Sequence, residues 1–327
     1  MKRFKDILCV LEPEAACQCA LERAVALAES NQARLTVATV TEHITAGIGM
    51  PESGPIPADL QAKLAHAHAQ VLEASIDPYR ARIRMDAKVL AGIPFLEIIR
   101  EVLRNGHDLV IKCPESPNWL KRIFTGDDIH LLRKCPCPVW LINSDTPKSY
   151  QRILAAVDVD TNYPPAELEA RQGLNGLIMQ MAGSLAVSEF AELHVVHAWD
   201  AIGESAMRHG AFMRRPDSEV DAYIEQVRGH HARLLDALMQ AVGSDLGQDT
   251  MDYLKPQLHL LKGPARKEIP ALAKRIDADL VVMGTVARTG IRGFIMGNTA
   301  ETILEQIDCS VLAIKPPGFV TPVALED

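Results

Sequence analysis

The stretch Ile153-Leu-Ala-Ala-Val-Asp158 has five apolar residues followed by an acid, a pattern typical of a strand buried on both faces of a sheet. It resembles Ile7-Leu-Cys-Val-Leu-Glu12 near the beginning of the chain. Four more strand-like segments recur in the same order in both halves, and such self-similarity indicates a duplicated domain. These pairs are residues 33–39 with 191–197, 88–92 with 259–263, 107–111 with 278–282, and 137–142 with 309–314.

Helix-like stretches separate these segments in both halves. In the first half they cover residues 15–30, 58–82, 94–103 and 127–133, and in the second half 164–186, 219–242, 264–275 and 299–306. Alternating strands and helices predict parallel pairing with right-handed crossovers. The fold class is therefore α/β, with two tandem open parallel five-stranded sheets and helices on both faces. We predict domains at 1–145 and 150–327, joined by the polar linker 143–149.

Composition narrows the range of functions. The chain has 327 residues, is 48% hydrophobic and carries a net charge of -8. Its acids and bases are mixed along the chain, so no nucleic-acid partner is expected. No segment approaches the roughly 18 apolar residues of a membrane span, and the first apolar stretch is too short for a signal peptide. A cytoplasmic location without a membrane span follows as an expectation.

A glycine-rich loop follows the fourth strand of the second copy, reading Gly284-Thr-Val-Ala287-Arg-Thr-Gly290-Ile-Arg-Gly293-Phe-Ile-Met-Gly297-Asn298-Thr299. Open parallel sheets bind ligands beyond the carboxyl ends of their strands. Glycines allow close backbone approach, and a helix start offers free amide groups to phosphate. Alternatively, Asn298 and Glu301 could cap their own helix, which would make this a structural loop.

The corresponding loop of the first copy has a different character. It has one glycine, Gly126, followed by Asp127 and Asp128 at the predicted helix start. These carboxylates suit the helix dipole but repel phosphate. Glu12 also stands where the second copy has Asp158. We therefore expect a degenerate first domain without a nucleotide loop.

The glycine spacing of the second loop resembles a known family motif. Nucleotide-binding members of the universal stress protein family carry Gly, two residues, Gly, nine residues, then Gly followed by Ser or Thr. Here the motif positions hold Gly284, Ala287, Gly297 and Asn298. With the repeated strands and Leu131-Leu-Arg-Lys-Cys135-Pro, the chain resembles this family and its tandem-domain E subgroup. The resemblance implies an adenine nucleotide alpha hydrolase-like fold and a non-enzymatic role in stress response.

The resemblance also implies a site and an assembly. Nucleotide contacts would come from Asp158, Ala198, Gly284, Ala287, Gly297, Asn298 and Thr299. Asp158 would hold the nucleoside, Ala198 would lie by the base, and the loop would hold the phosphates of ATP or AMP with magnesium. The two domains would associate through their last strands as an intramolecular pseudo-dimer. Further homodimerisation stays open.

Two other functions stay open beside this one. The loop 284–299 could hydrolyse ATP slowly, although no HExxH, GxSxG or paired-carboxylate constellation predicts an enzyme. An irregular insertion at 200–215 could instead be a lid over a small, partly apolar ligand.

Histidines and cysteines offer weaker signals. His194 and His197 lie three apart on a strand, so they point to opposite faces and should not chelate one metal together. His230 and His231 are expected to be solvated on a helix. Cys135-Pro-Cys137 is best explained as a corner between a helix and a strand, with a redox or metal role as the alternative.

Overall fold

The computed structural model describes residues 4–12, 18–42, 55–114, 126–210, 213–285 and 297–325. Strands and helices alternate in both halves, as predicted. The first half contains β1 (Asp6–Val10), α1 (Gln18–Asn31), β2 (Arg34–Thr41), α2 (Pro55–Ile76), β3 (Met85–Ala91), α3 (Pro94–Asn105), β4 (Leu109–Lys112), α4 (Asp127–Lys134) and β5 (Val139–Leu141).

The second half repeats this order with additional helices after its second strand. It contains β6 (Arg152–Ala156), α5 (Pro165–Glu189), β7 (Glu192–Trp199), α6 (Glu204–His209), α7 (Asp217–Leu246), α8 (Gln248–Leu254), β8 (Gln257–Lys262), α9 (Ala265–Arg275), β9 (Leu280–Gly284), α10 (Asn298–Leu304) and β10 (Ser310–Ile314).

The ends of α3 show how the sequence sets these boundaries. Pro94 is the first helical residue, where its missing N–H costs no hydrogen bond. Gly106 ends the helix in the left-handed region at φ 70°, which glycine adopts without strain. Buried residues of α1, α2, α5 and α7 pack on one face of the sheet, and those of α3, α4, α9 and α10 pack on the other.

The ten strands of the described ranges form one sheet in the order β3-β2-β1-β4-β5-β10-β9-β6-β7-β8. Pairing is parallel within each half, whereas β5 and β10 pair antiparallel, with Leu312 opposite Trp140. The last strands therefore join the domains as the resemblance implied. We expected two tandem five-stranded sheets, but the structure has one continuous sheet. The edge strands β5 and β10 pair with each other, and this pairing satisfies the backbone N–H and C=O groups of both edges.

Side chains reinforce this junction. Arg23 on α1 forms an ion pair with Glu189 on α5, and both side chains are largely buried. The guanidinium of Arg23 also donates to the carbonyl of Lys148 and lies 4.1 Å from the centre of the Tyr150 ring. Arg23 of the first domain thus contacts both the linker and a helix of the second domain.

The predicted irregular insertion at 200–215 is partly helical, which corrects that expectation over Glu204–His209. Arg208 and Glu204 form an ion pair within this helix, while Arg208 reaches Asp221 of α7 and Glu204 reaches Lys262 of β8. These ion pairs hold α6 against α7 and β8. Within the described ranges, the structure contains no helix with the length and apolar character needed to cross a membrane.

Candidate functional site

The carboxyl ends of β6, β7 and β9 are adjacent in the sheet and form the crevice of the second domain. Asp158 follows β6, Ala198 lies near the end of β7 and Gly284 ends β9. Gly297 approaches the same edge, since its N–H donates to the carbonyl of Thr285 at 3.4 Å. The structure thus brings these predicted residues together, with Asn298 and Thr299 next to Gly297 in α10. Ala287 lies outside the described residues.

The backbone of Asp158 is fixed by a buried amide. Asn175 on α5 accepts the N–H of Asp158 at 3.0 Å and donates to its carbonyl at 2.7 Å. The carboxylate of Asp158 accepts from Tyr163 at 3.0 Å and from Arg171 at 2.6 Å. Burial raises the pKa of Tyr163, so the phenol stays protonated and donates. The carboxylate is therefore held in a defined position, and its side chain is 39% exposed.

Gly284 is required by packing rather than by an unusual backbone conformation. A Cβ at this position would lie 2.5 Å from Cδ2 of Leu174 on α5. Real Cβ atoms do not approach other atoms that closely, so a larger residue would require the Leu174 side chain or α5 itself to shift. Glycine here lets helix and strand meet at the floor of the crevice.

The predicted cap formed by Asn298 and Glu301 is wrong. Gly297 is the residue that precedes α10, Asn298 is its first helical residue, and the described residues show no side-chain cap hydrogen bond at this helix start. The carboxylate of Glu301 instead forms an ion pair with Arg133 on α4 of the first domain. Because Arg133 lies far away in sequence, a local reading could not show that it takes the carboxylate.

A buried lysine lies beneath the crevice. Lys315 follows β10 and donates to the carbonyl of Leu132 in the first domain and to the hydroxyl of Thr285. Burial lowers the pKa of Lys315 to about 7, since the charged amine is poorly solvated there. Sequence reasoning missed this residue, although a lysine directly after the apolar run 311–314 was a usable signal.

The crevice of the first domain has different chemistry. Lys112 at the end of β4 is buried, with its Nζ 3.1 Å from Glu12 and 2.7 Å from Asp128. Burial also raises the pKa of the neighbouring Asp127. The carboxylates noticed in the sequence therefore surround a lysine that sequence reasoning had not connected with them.

Four histidines of the second domain form two hydrogen-bonded pairs. His197 and His231 are 3.0 Å apart, and His194 and His259 are also 3.0 Å apart. His194 and His197 thus contact different partners, as their spacing predicted. His230 is exposed as expected, whereas the expectation of a solvated His231 is wrong. His231 falls on the apolar stripe of α7, four residues from Leu235, and this periodicity could have predicted its burial.

The corner after α4 holds Cys135 and Cys137, as predicted. Both thiols are buried and their Sγ atoms are 3.6 Å apart.

Comparisons with known proteins agree with this architecture. The model of the Universal stress protein family matches residues 3–143 and again residues 149–315. Universal stress protein E of Escherichia coli strain K12 is 30% identical over 334 aligned residues, covering 100% of this chain and 99% of that protein. A Haemophilus influenzae homologue of the same protein is 31% identical, covering 96% and 98%.

A solved structure extends the likeness to three dimensions. A Pseudomonas aeruginosa protein described as functionally unknown has 28% identity and a TM-score of 0.65, covering 96% of this chain and 93% of that one. Its similarity runs through both halves, as do the two matches to the family model. The chain therefore belongs to the universal stress protein family, with one family domain in each half.

Proposed function

We propose that this chain is a non-enzymatic stress-response protein in which the second domain, at 150–327, binds a nucleotide. The first domain, at 1–145, serves as its structural partner. Membership of the universal stress protein family in both halves supports the stress-response role. ATP or AMP with magnesium is the proposed ligand.

The difference between the two crevices carries this proposal. In the first domain, Lys112 occupies the end of β4 between the carboxylates of Glu12 and Asp128. By the internal repeat, the equivalent residues of the second domain are Met283, Asp158 and Thr299. A buried methionine replaces the lysine and a hydroxyl replaces one carboxylate. At these positions the second crevice thus lacks the ion pairs of the first, and one source of repulsion toward phosphate is removed.

Each proposed contact has a chemical role. Asp158 would accept a ribose hydroxyl in the place where it now accepts from Tyr163. Ala198 would leave room for a base, because its side chain is small. Gly284 and Ala287, together with the segment Gly297, Asn298 and Thr299, would supply backbone amides and a hydroxyl to the phosphates.

A thermal-shift titration with ATP and magnesium, and separately with AMP, tests the proposal. Ligand at a hundred times its dissociation constant should stabilise the fold by about 2.7 kcal/mol. Gly297→Glu should abolish the shift, because it adds a charge and bulk beside the proposed phosphate position. The matched control is Gly126→Glu, at the equivalent place before α4. Both glycines have extended backbone angles that glutamate tolerates, so both variants should fold.

Three results would count against the proposal. One is no shift with either nucleotide, and another is a shift that Gly297→Glu leaves unchanged. A third is loss of the shift in Gly126→Glu, which would move the site to the first domain. Release of ADP above a buffer blank would favour slow hydrolysis over simple binding. The cytoplasmic location stays a prediction.

A further inference from the structure

Two thiols from distant parts of the chain meet in the crevice of the first domain. Cys19 lies at the described start of α1 and Cys113 follows β4, 94 residues away, yet their Sγ atoms are only 3.3 Å apart. We propose that Cys19 and Cys113 form a reversible disulfide, which makes the first domain a thiol redox site. The oxidant would be a hydroperoxide or a small-molecule disulfide.

The geometry requires little movement. A disulfide needs sulfur atoms about 2.05 Å apart, so the two sulfurs must approach by a little over 1 Å. Rotation of the side chains can supply this displacement, because the two backbone segments already adjoin. β4 pairs directly with β1, and α1 packs over both strands.

The surroundings suit one accessible and one protected sulfur. Cys19 is partly exposed and can meet an oxidant, whereas Cys113 is only 4% exposed. Cys19 is therefore the attacking thiol and Cys113 the thiol that completes the bond.

The other buried thiols are poorer candidates. Burial raises the pKa of Cys309 to about 12, so almost none of it is the reactive thiolate at neutral pH. Cys135 and Cys137 are close to each other, but both are buried, which restricts the access of an oxidant. Of the close thiol pairs in the described ranges, the one in the first crevice thus combines proximity with access.

The internal repeat gives this pair a context. Cys113 is the equivalent of Gly284, the residue that lets Leu174 approach β9 in the second domain. In the first domain the equivalent strand position instead carries a thiol, which meets Cys19 of α1. The crevice that is closed to phosphate by Glu12, Lys112 and Asp128 thus acquires a different reactive group.

The chemistry balances with either oxidant. With hydrogen peroxide, both thiols lose hydrogen, the S–S bond forms, the O–O bond breaks and two water molecules leave. With an oxidised low-molecular-weight thiol, two exchange steps give the protein disulfide and two reduced small thiols. A dithiol reductant reverses the reaction.

The test uses the full chain, reduced and then exposed to hydrogen peroxide, with remaining thiols alkylated before digestion. Trypsin places Cys113 on the peptide 113–121, whereas Cys9, Cys17 and Cys19 share the peptide 6–23. The expected product is a link between these two peptides, with fragmentation assigning the bond to Cys19. Dithiothreitol should remove the link. The oxidised protein should melt several degrees higher, since the bond closes a long loop.

Variants give the matched controls. Cys19→Ser should abolish the link, and so should Cys113→Ala. Agreement between these two independent variants shows that the loss does not come from misfolding of one of them. Cys17→Ser and Cys309→Ala should keep the link. A bond from Cys17, a bond between Cys135 and Cys137 alone, or no bond at all under peroxide would overturn the proposal.

Discussion

Lys315 offers the most quantitative test of the junction between the domains. Its amine is buried between Leu132 of the first domain and Thr285 of the second, and its pKa is lowered to about 7. In the unfolded chain a lysine has a pKa of about 10.4. Between these two values the unfolded state binds one more proton than the folded state. The free energy of unfolding must therefore rise with pH across this window.

The magnitude follows from the pKa difference. One proton contributes about 1.4 kcal/mol per pH unit, so two units within the window contribute about 2.5 kcal/mol. Lys315→Met removes this titration. Thr285 can still donate to the carbonyl of Leu132, from which its hydroxyl oxygen lies 3.4 Å away. The variant therefore keeps a partner for the buried polar atoms that Lys315 would otherwise contact, and it should fold.

The assay is urea unfolding of wild type and Lys315→Met at about pH 7.5 and about pH 9.5. At each pH the free energy of unfolding of the variant is subtracted from that of wild type, and the two differences are compared. We expect wild type to gain about 2.5 kcal/mol relative to Lys315→Met over this range. The control is Lys274→Met, an exposed lysine on α9, whose curve should run parallel to wild type. A difference between wild type and Lys315→Met that does not change with pH would refute a buried, largely neutral amine.

Three further predictions concern the fold around the two crevices. Gly284→Ala should lower the free energy of unfolding by about 1–3 kcal/mol because its Cβ meets Leu174, whereas Gly176→Ala, in open space on α5, should raise it by up to about 1 kcal/mol; equal effects in chemical denaturation would contradict the packing argument. Arg23→Met should cost about 3 kcal/mol by leaving Glu189 largely buried without its partner, and Glu189→Leu added to it should restore part of that loss; a double variant no more stable than the single one would count against the ion pair. Burial lowers the pKa of His197 and His231 below that of the unfolded chain, so acidification below about pH 6.5 should destabilise wild type more than His231→Phe; melting temperatures that fall equally in both would show that the pair does not titrate as argued.

Local patterns in the sequence were enough to predict the alternating strands and helices. Residues 153–158 and their counterpart 7–12 predicted the first strand of each half, and both strands begin within one residue of the expected position. Buried parallel strands have continuous apolar runs, and these are visible without knowledge of the fold.

Contacts between distant residues were not predictable in the same way. Asn298 and Glu301 have the spacing of a helix cap, but Arg133 of the other domain takes the carboxylate of Glu301. Likewise, Glu12, Lys112 and Asp128 belong to three separate segments, and only the parallel sheet brings them to one edge. The candidate residues Asp158, Ala198 and Gly284 could be placed together because the rule for carboxyl ends of strands is itself a rule about the sheet.

The ion pair between Arg133 and Glu301 has a consequence for how the two halves can change. In a symmetric homodimer every contact between subunits occurs twice, so one substitution alters both copies. Counted from the equivalent glycines Gly126 and Gly297, the related positions are Leu304 and His130, which cannot form the same ion pair. Joining the domains in one chain lets each side of the junction vary alone. One crevice can thus become ionic and thiol-rich without imposing those residues on the other.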